Sequence, residues 1–121
     1  MMEKVSVLAR AKAALENLDA NKLVACYADD FLFDDVPAKE AIDQRDGLTS
    51  YYERLFDLPG VGFSDVVIYQ SEQWAALEWT WSGSKQDSEE RFKVRGASII
   101  ELREGEIRRE TLYYDPRPAL E

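Results

Sequence analysis

The sequence predicts an α+β domain, three N-terminal helices packed on a curved antiparallel sheet to form a cone with an internal pocket. Three observations carry that expectation. Phe92, Val94, Gly96, Ser98, Ile100 and Leu102 fall on one side of a single run, and Lys93, Arg95, Glu101 and Arg103 on the other. That period of two is the signature of a strand with one buried face. A turn at Glu104-Gly105-Glu106 and a return strand from Ile107 to Tyr114 complete a long hairpin, which needs more sheet beside it and helices over its buried face. Ahead of it, Leu48, Tyr51, Tyr52, Leu55 and Phe56 repeat at the three- and four-residue steps of an amphipathic helix.

The elements follow in order. Val5, Leu8, Ala11, Leu15 and Leu18 predict a first helix from about Glu3 to Asn17. Asp19 is placed to cap a second, Ala20 to Ala28, with Leu23, Val24 and Tyr27 facing inward. Asp29 to Asp35 reads as a short strand bracketed by acid pairs, and Val36 to Arg45 as a polar loop opened by Pro37. The third helix starts at Asp46 or Gly47 and stops before Pro59, Gly60 and Gly62. Phe63 to Gln70 and Trp74 to Ser82 then form strands joined at Ser71-Glu72-Gln73. With the hairpin they make a four-strand antiparallel meander. Gly96, in the middle of the longest strand, is expected to mark a bulge or bend that lets the sheet curl.

At 121 residues the chain holds one core, so residues 1–121 are read as a single domain. A net charge of −9 without a Lys/Arg cluster disfavours nucleic acid and acidic membrane surfaces as partners. No apolar run approaches the roughly 20 residues of a membrane span, and the first ten residues lack the apolar stretch of a signal peptide; a soluble, cytoplasmic protein is expected. Cys26, alone and inside an apolar pattern, is read as a small buried hydrophobe. The chain contains no histidine. Ser–His and Cys–His nucleophiles and imidazole-bound metals are therefore excluded, and acid–base chemistry falls to carboxylates, tyrosine, lysine or water. The acid pairs Asp29/Asp30 and Asp34/Asp35 have no EF-hand spacing. No metal and no cofactor are expected.

Leu18-Asp19 with Tyr27-Ala28-Asp29-Asp30-Phe31 at the front, and Gly105-Glu106-Ile107 with Tyr113-Tyr114-Asp115-Pro116 at the back, flank the third helix, Gly47 to Phe56. In this arrangement the chain resembles the nuclear transport factor 2-like superfamily, specifically its SnoaL-like branch, over nearly its whole length. The resemblance implies a cystatin-like cone, often dimeric, with a pocket for a small apolar molecule. Ketosteroid isomerases, polyketide cyclases, epoxide hydrolases and many non-enzymes share that superfamily, so the pocket residues decide function. The epoxide-hydrolase pattern of an Arg and two Asp falls here on Trp79, Trp81 and Leu112, which removes that chemistry. Cyclases of the branch also draw an acid from the last strand near Leu112. The ketosteroid-isomerase pattern keeps its base as Asp35, while its two oxyanion donors fall on Ala11 and, approximately, Ser98.

Asp35 is thus the first catalytic candidate, set between Phe33 and Val36-Pro37, where apolar walls make a carboxylate a better proton acceptor. Glu110 is the second; it shares a strand face with Leu112 and Tyr114, and Tyr27, Tyr52 or Arg95 could partner it. Tyr27, Phe33, Tyr52, Trp79, Trp81 and Tyr114 are expected to line an aromatic cavity, with Ser98 and Leu112 on its sheet wall. On the outer sheet face, Ala97 and Ile99 inside a charged rim suit a homodimer interface. Two readings follow: an isomerase- or cyclase-type enzyme moving a proton on a small apolar carbonyl compound, or a ligand-binding or dimerisation module without catalysis.

Overall fold

The computed structural model describes residues 6–120. Helices α1 (Val7–Glu16), α2 (Ala20–Val24) and α3 (Arg45–Phe56) accompany strands β1 (Tyr27–Asp35), β2 (Glu40–Ile42), β3 (Gly62–Gln70), β4 (Trp74–Ser84), β5 (Arg91–Arg103) and β6 (Glu106–Tyr114), with a short α4 (Arg117–Leu120) at the end. The strands form one curved, unclosed sheet in the order β2-β1-β6-β5-β4-β3. The meander from β3 to β6 is antiparallel throughout, and the helices pack on its concave side as the α+β pattern predicts.

Ser6 caps α1 by accepting the Ala9 N–H, and Asp19 caps α2 by accepting the Lys22 N–H at 3.0 Å, each filling a donor that the first helical turn leaves open. The expected extension of α1 to Glu3, and with it Val5, lies outside the described residues. Between β5 and β6, Glu104 and Gly105 both take positive φ, 52° and 77°, as a two-residue type I′ hairpin turn requires.

Four features differ from the sequence reading. Helix α2 ends at Val24, and Tyr27 and Ala28 belong to β1. The reason is tertiary: the Cys26 carbonyl accepts the Ile107 N–H at 2.9 Å, and Tyr27 pairs with Ile107, so β6 supplies the partner that another helical turn would have supplied. Arg45 holds that corner by donating to the carbonyls of Val24 and Tyr27, at 2.9 and 3.0 Å. Second, the stretch taken as loop contains β2, paired to the end of β1. Third, the sheet is mixed, because β1 runs parallel to β6. Fourth, Gly96 is no bulge. It stays in register with Trp79 and Tyr114, and the shift in the β5–β6 ladder falls between Glu101 and Leu102. A side chain at Gly96 would collide with the Trp79 ring; the glycine makes room for an indole.

The core lies between the helices and the concave face, with Leu8, Leu48 and Ile100 fully buried in it. Cys26 joins it, and burial pushes its thiol pKa up, which makes it a packing group rather than a nucleophile.

Candidate functional site

A cavity of about 230 Å³ runs between the concave face and the helices. Ala11 and Leu15 of α1, Leu23 of α2 and Ile107 of β6 bound it among the core residues. Trp79 and Trp81 of β4, Leu112 of β6 and Leu55 of α3 add further apolar walls. Its lining also includes Glu40, Arg54 and Leu58, which are partly or well exposed, so it reaches the surface at the ends of β2 and α3. Alternation along β4 and β6 explains the choice of residues: Leu77, Trp79 and Trp81 share one face, as do Glu110, Leu112 and Tyr114.

Both candidate carboxylates line this one cavity. In the parallel β1–β6 register Phe33 pairs with Glu110 and Asp35 with Leu112. Their backbones therefore lie about 8 Å apart, two residues along at roughly 3.3 Å each and one strand across. Asp35, at the end of β1, is 3% exposed and acts only as an acceptor. The Tyr51 hydroxyl donates to Oδ2 at 2.6 Å, the Tyr114 hydroxyl to Oδ1 at 2.7 Å, and the Ala38 N–H to Oδ1 at 3.3 Å. An ionised carboxylate offers about four lone-pair sites, so one remains for a ligand.

Glu110 is deeper. The Tyr27 hydroxyl donates to its Oε1, and Tyr27 and Tyr52 hydroxyls share a hydrogen bond of 2.8 Å. Burial pushes its carboxyl above the ordinary range, while hydrogen bonds from Tyr27 and Ser98 pull partly the other way. Desolvation leads because the residue is 6% exposed and its hydrogen-bond partners are neutral hydroxyls. The same burial, together with the neighbouring carboxylates, drives the phenols of Tyr27, Tyr52, Tyr51 and Tyr114 upward, so all four stand as neutral hydroxyls near neutral pH.

Ser98 accepts the Trp79 indole N–H at 3.1 Å, which fixes the ring against the sheet. Trp81 carries an indole nitrogen that is buried without a hydrogen-bond partner among the described residues.

Of the residues expected to line the cavity, Phe33 alone does not. It packs behind the tyrosines, 4.9 Å from the Tyr51 ring and 5.9 Å from that of Tyr52. Arg95 lies on the other sheet face, bound to the Asp65 carbonyl and Thr80, and does not partner Glu110. Asp29 and Asp30 leave the cavity altogether, paired with Arg45 and with Arg103 and Arg108. Sequence reasoning missed Tyr51 as a site residue. Its position on the apolar stripe of α3 was visible, and a buried phenol needs a hydrogen-bond partner. Glu40 and Arg54, 3.6 Å apart at the rim, carried no signal in the sequence.

A three-helix cap on a curved sheet, enclosing an aromatic cavity with carboxylates at two depths, defines a cone of the nuclear transport factor 2-like class. Within that class the chain belongs to the SnoaL-like domain family, whose model matches residues 8–110. Among solved structures, it is similar to a Catenulispora acidiphila protein with a ketosteroid isomerase-like fold, solved in complex with trimethylamine. The TM-score is 0.83 at 18% identity, over 97% of this chain and 91% of that one. It is similar also to a candidate polyketide cyclase of Xanthomonas campestris, with TM-score 0.80 and 19% identity over 92% and 89% of the two chains. An NTF2-like protein of Burkholderia thailandensis superposes with TM-score 0.82 at 16% identity, over 95% of each chain. No curated protein matches the chain.

Proposed function

We propose that this protein binds a small, largely apolar carbonyl compound in the cone and moves a proton on it, as an isomerase or cyclase. The observation that carries the reading is that Asp35 and Glu110 line one cavity from adjoining strands, in unlike surroundings. Unlike surroundings separate an acid from a base. Asp35, an acceptor in all its contacts, takes the proton from the carbon next to the carbonyl. The electron pair moves onto the carbonyl oxygen, where the Glu110 carboxyl, kept toward its neutral form by burial, donates a hydrogen bond. With a conjugated double bond in the substrate, returning the proton from Asp35 to the far carbon of the dienolate completes an isomerisation. Attack of the enolate carbon on a second carbonyl closes a ring, and the alkoxide so formed takes the proton back from Asp35. No cofactor enters either balance. Glu110 in this scheme stands in for the oxyanion donors that the ketosteroid-isomerase pattern places at Ala11 and, approximately, Ser98, and Tyr27 orients its carboxyl by donating to Oε1.

The size of the cavity limits the substrate. An apolar cavity of about 150 Å³ holds benzene, so about 230 Å³ suits a compound of one or two rings. We also propose that the protein is a homodimer through the outer sheet face. There Ile99 and Tyr113, about half exposed, flank Ala97 between Lys93 and Glu101.

The experiment is deuterium exchange at the carbon next to the carbonyl, followed by NMR in D2O with one- and two-ring ketones. The wild-type protein is expected to accelerate exchange, and Asp35→Asn to remove about 10²- to 10⁴-fold of the rate, the range of general-base catalysis. Equal exchange with both proteins overturns the catalytic reading. The second reading, a ligand holder without chemistry, is favoured by the tryptophans at the positions where the epoxide hydrolases carry polar groups. It would show binding of the same ketones without exchange.

A further inference from the structure

The charge balance of the cavity points to a property of its occupant. Its lining contains three carboxylates, on Asp35, Glu40 and Glu110, and one cation, Arg54. The Arg54 side chain is 67% exposed and lies 3.6 Å from Glu40, so it serves the rim and not the interior. Among the described residues no Lys or Arg forms an ion pair with Asp35 or Glu110. Both carboxylates are held by hydroxyls and amide N–H groups alone. A buried carboxylate is ordinarily paired with a cation or kept neutral; burial does the latter for Glu110, and for Asp35 the described residues supply no cation.

The walls around Asp35 are aromatic and stand at steep angles to one another. Trp81 and Tyr114 lie 6.2 Å apart at 84°, Trp79 and Tyr114 5.7 Å apart at 60°, and Phe63 and Trp79 6.1 Å apart at 72°. These rings meet one another at steep angles rather than in a flat stack, and all four residues line the cavity. Ring faces attract a cation through their quadrupole, Trp most strongly, and the attraction grows when water is excluded.

We propose that the occupant of the cone carries a positive charge: a protonated or quaternary amine no larger than one or two rings, seated among Trp79, Trp81 and Tyr114 with Asp35 as its counter-ion. This rests on the reading of the cavity as a ligand site and not on whether a proton is transferred there. An anionic ligand of the same size is disfavoured by the same balance, since it would meet the Asp35 carboxylate and no interior cation.

The test is a pair of probes equal in shape and different in charge, phenyltrimethylammonium and tert-butylbenzene, titrated against the intact protein by tryptophan fluorescence and calorimetry. The ammonium is expected to bind at least about tenfold more tightly. Asp35→Asn is expected to shrink that ratio while leaving tert-butylbenzene affinity within about threefold of wild type. Trp81→Leu is expected to weaken the ammonium in the same direction. Equal affinities for the two probes in the wild-type protein, or a preference for tert-butylbenzene, would overturn the cationic occupant and leave the ligand site standing. Failure of both probes, taken to the solubility limit, overturns the ligand site and this inference with it.

Discussion

Replacing Gly96 by alanine tests whether the cavity wall is built as described. A methyl group at Gly96 falls 2.3, 2.5 and 2.9 Å from Cη2, Cζ3 and Cζ2 of Trp79. Carbon atoms pack best at about 3.5–4.0 Å, so the indole must retreat by about 1.2 Å or more. Its retreat is opposed on three sides: Nε1 is tied to Ser98, and Phe63 and Tyr114 press against the ring. Overpacking of this kind costs about 1–3 kcal/mol. Removing a glycine from a strand interior returns about 0.5–1 kcal/mol, which leaves a net loss of about 1 kcal/mol at the middle of the two ranges and at most about 2.5 kcal/mol. Urea denaturation at constant m-value measures it directly. The displaced ring moves into the cavity, so probe affinity falls with stability. In a Trp79→Leu background the collision is gone, and the same alanine is expected to be neutral or stabilising. A Gly96→Ala protein as stable as wild type, or an equal loss in both backgrounds, would refute the packing argument.

Three further outcomes follow from the same contacts. Because burial raises the Glu110 pKa from its ordinary 4.5, the folded chain keeps a proton that the unfolded chain releases. Stability is then full below about pH 4.5 and declines as pH rises through the folded value, by up to about 1.4 kcal/mol per unit. Glu110→Gln should flatten that slope in thermal melts across pH 4–8, and an unchanged slope assigns it to another group. Tyr51→Phe and Tyr114→Phe each remove one donor from Asp35 and should each cost about 1–2 kcal/mol in denaturant; the buried Tyr51 should cost more than the partly exposed Tyr114, and the reverse order would count against the hydrogen bonds described. Ile99→Lys on the outer face should convert a dimer to a monomer by sedimentation at micromolar concentration, whereas a monomeric wild type removes the interface.

The helices and the antiparallel meander were legible because their signals are local. The spacing of Leu48, Tyr51, Tyr52, Leu55 and Phe56 and the alternation from Phe92 to Leu102 each report one buried face. The end of α2 was not legible, because Tyr27 is taken from the helix by a backbone partner eighty residues away, Ile107. The three residues of β2 were too short for a pattern, and their pairing depends on the end of β1. Gly96 was misread for a related reason: a glycine that makes room for a cross-strand indole looks, in sequence, like one that bends the strand. In the site, Asp35 could be named in advance because it falls at the base position of the ketosteroid-isomerase pattern, between Phe33 and Val36-Pro37, and Glu110 because alternation puts it on one strand face with Leu112 and Tyr114. Their tyrosine partners sit on separate elements, and only the three-dimensional arrangement assigns Tyr51 and Tyr114 to Asp35 and Tyr27 to Glu110.

The same alternation explains how a carboxylate is kept inside at all. Along β1, Phe31, Phe33 and Asp35 face in, while Leu32 and Asp34 face out, with Leu32 45% exposed. A slip of one residue would bury Leu32 and Asp34 and expose both phenylalanines. Burying a phenylalanine is worth about 1.5–3 kcal/mol, and the slip would recover only one leucine in exchange for two. Phe31 and Phe33 therefore fix the register, and Asp35 is carried inward with them. Its three donors reduce the cost of that position without creating it. Phe33, which does not line the cavity, is thus the residue that points the candidate base into it. Loss of a single tyrosine should leave Asp35 facing the cavity and change only its hydrogen bonding.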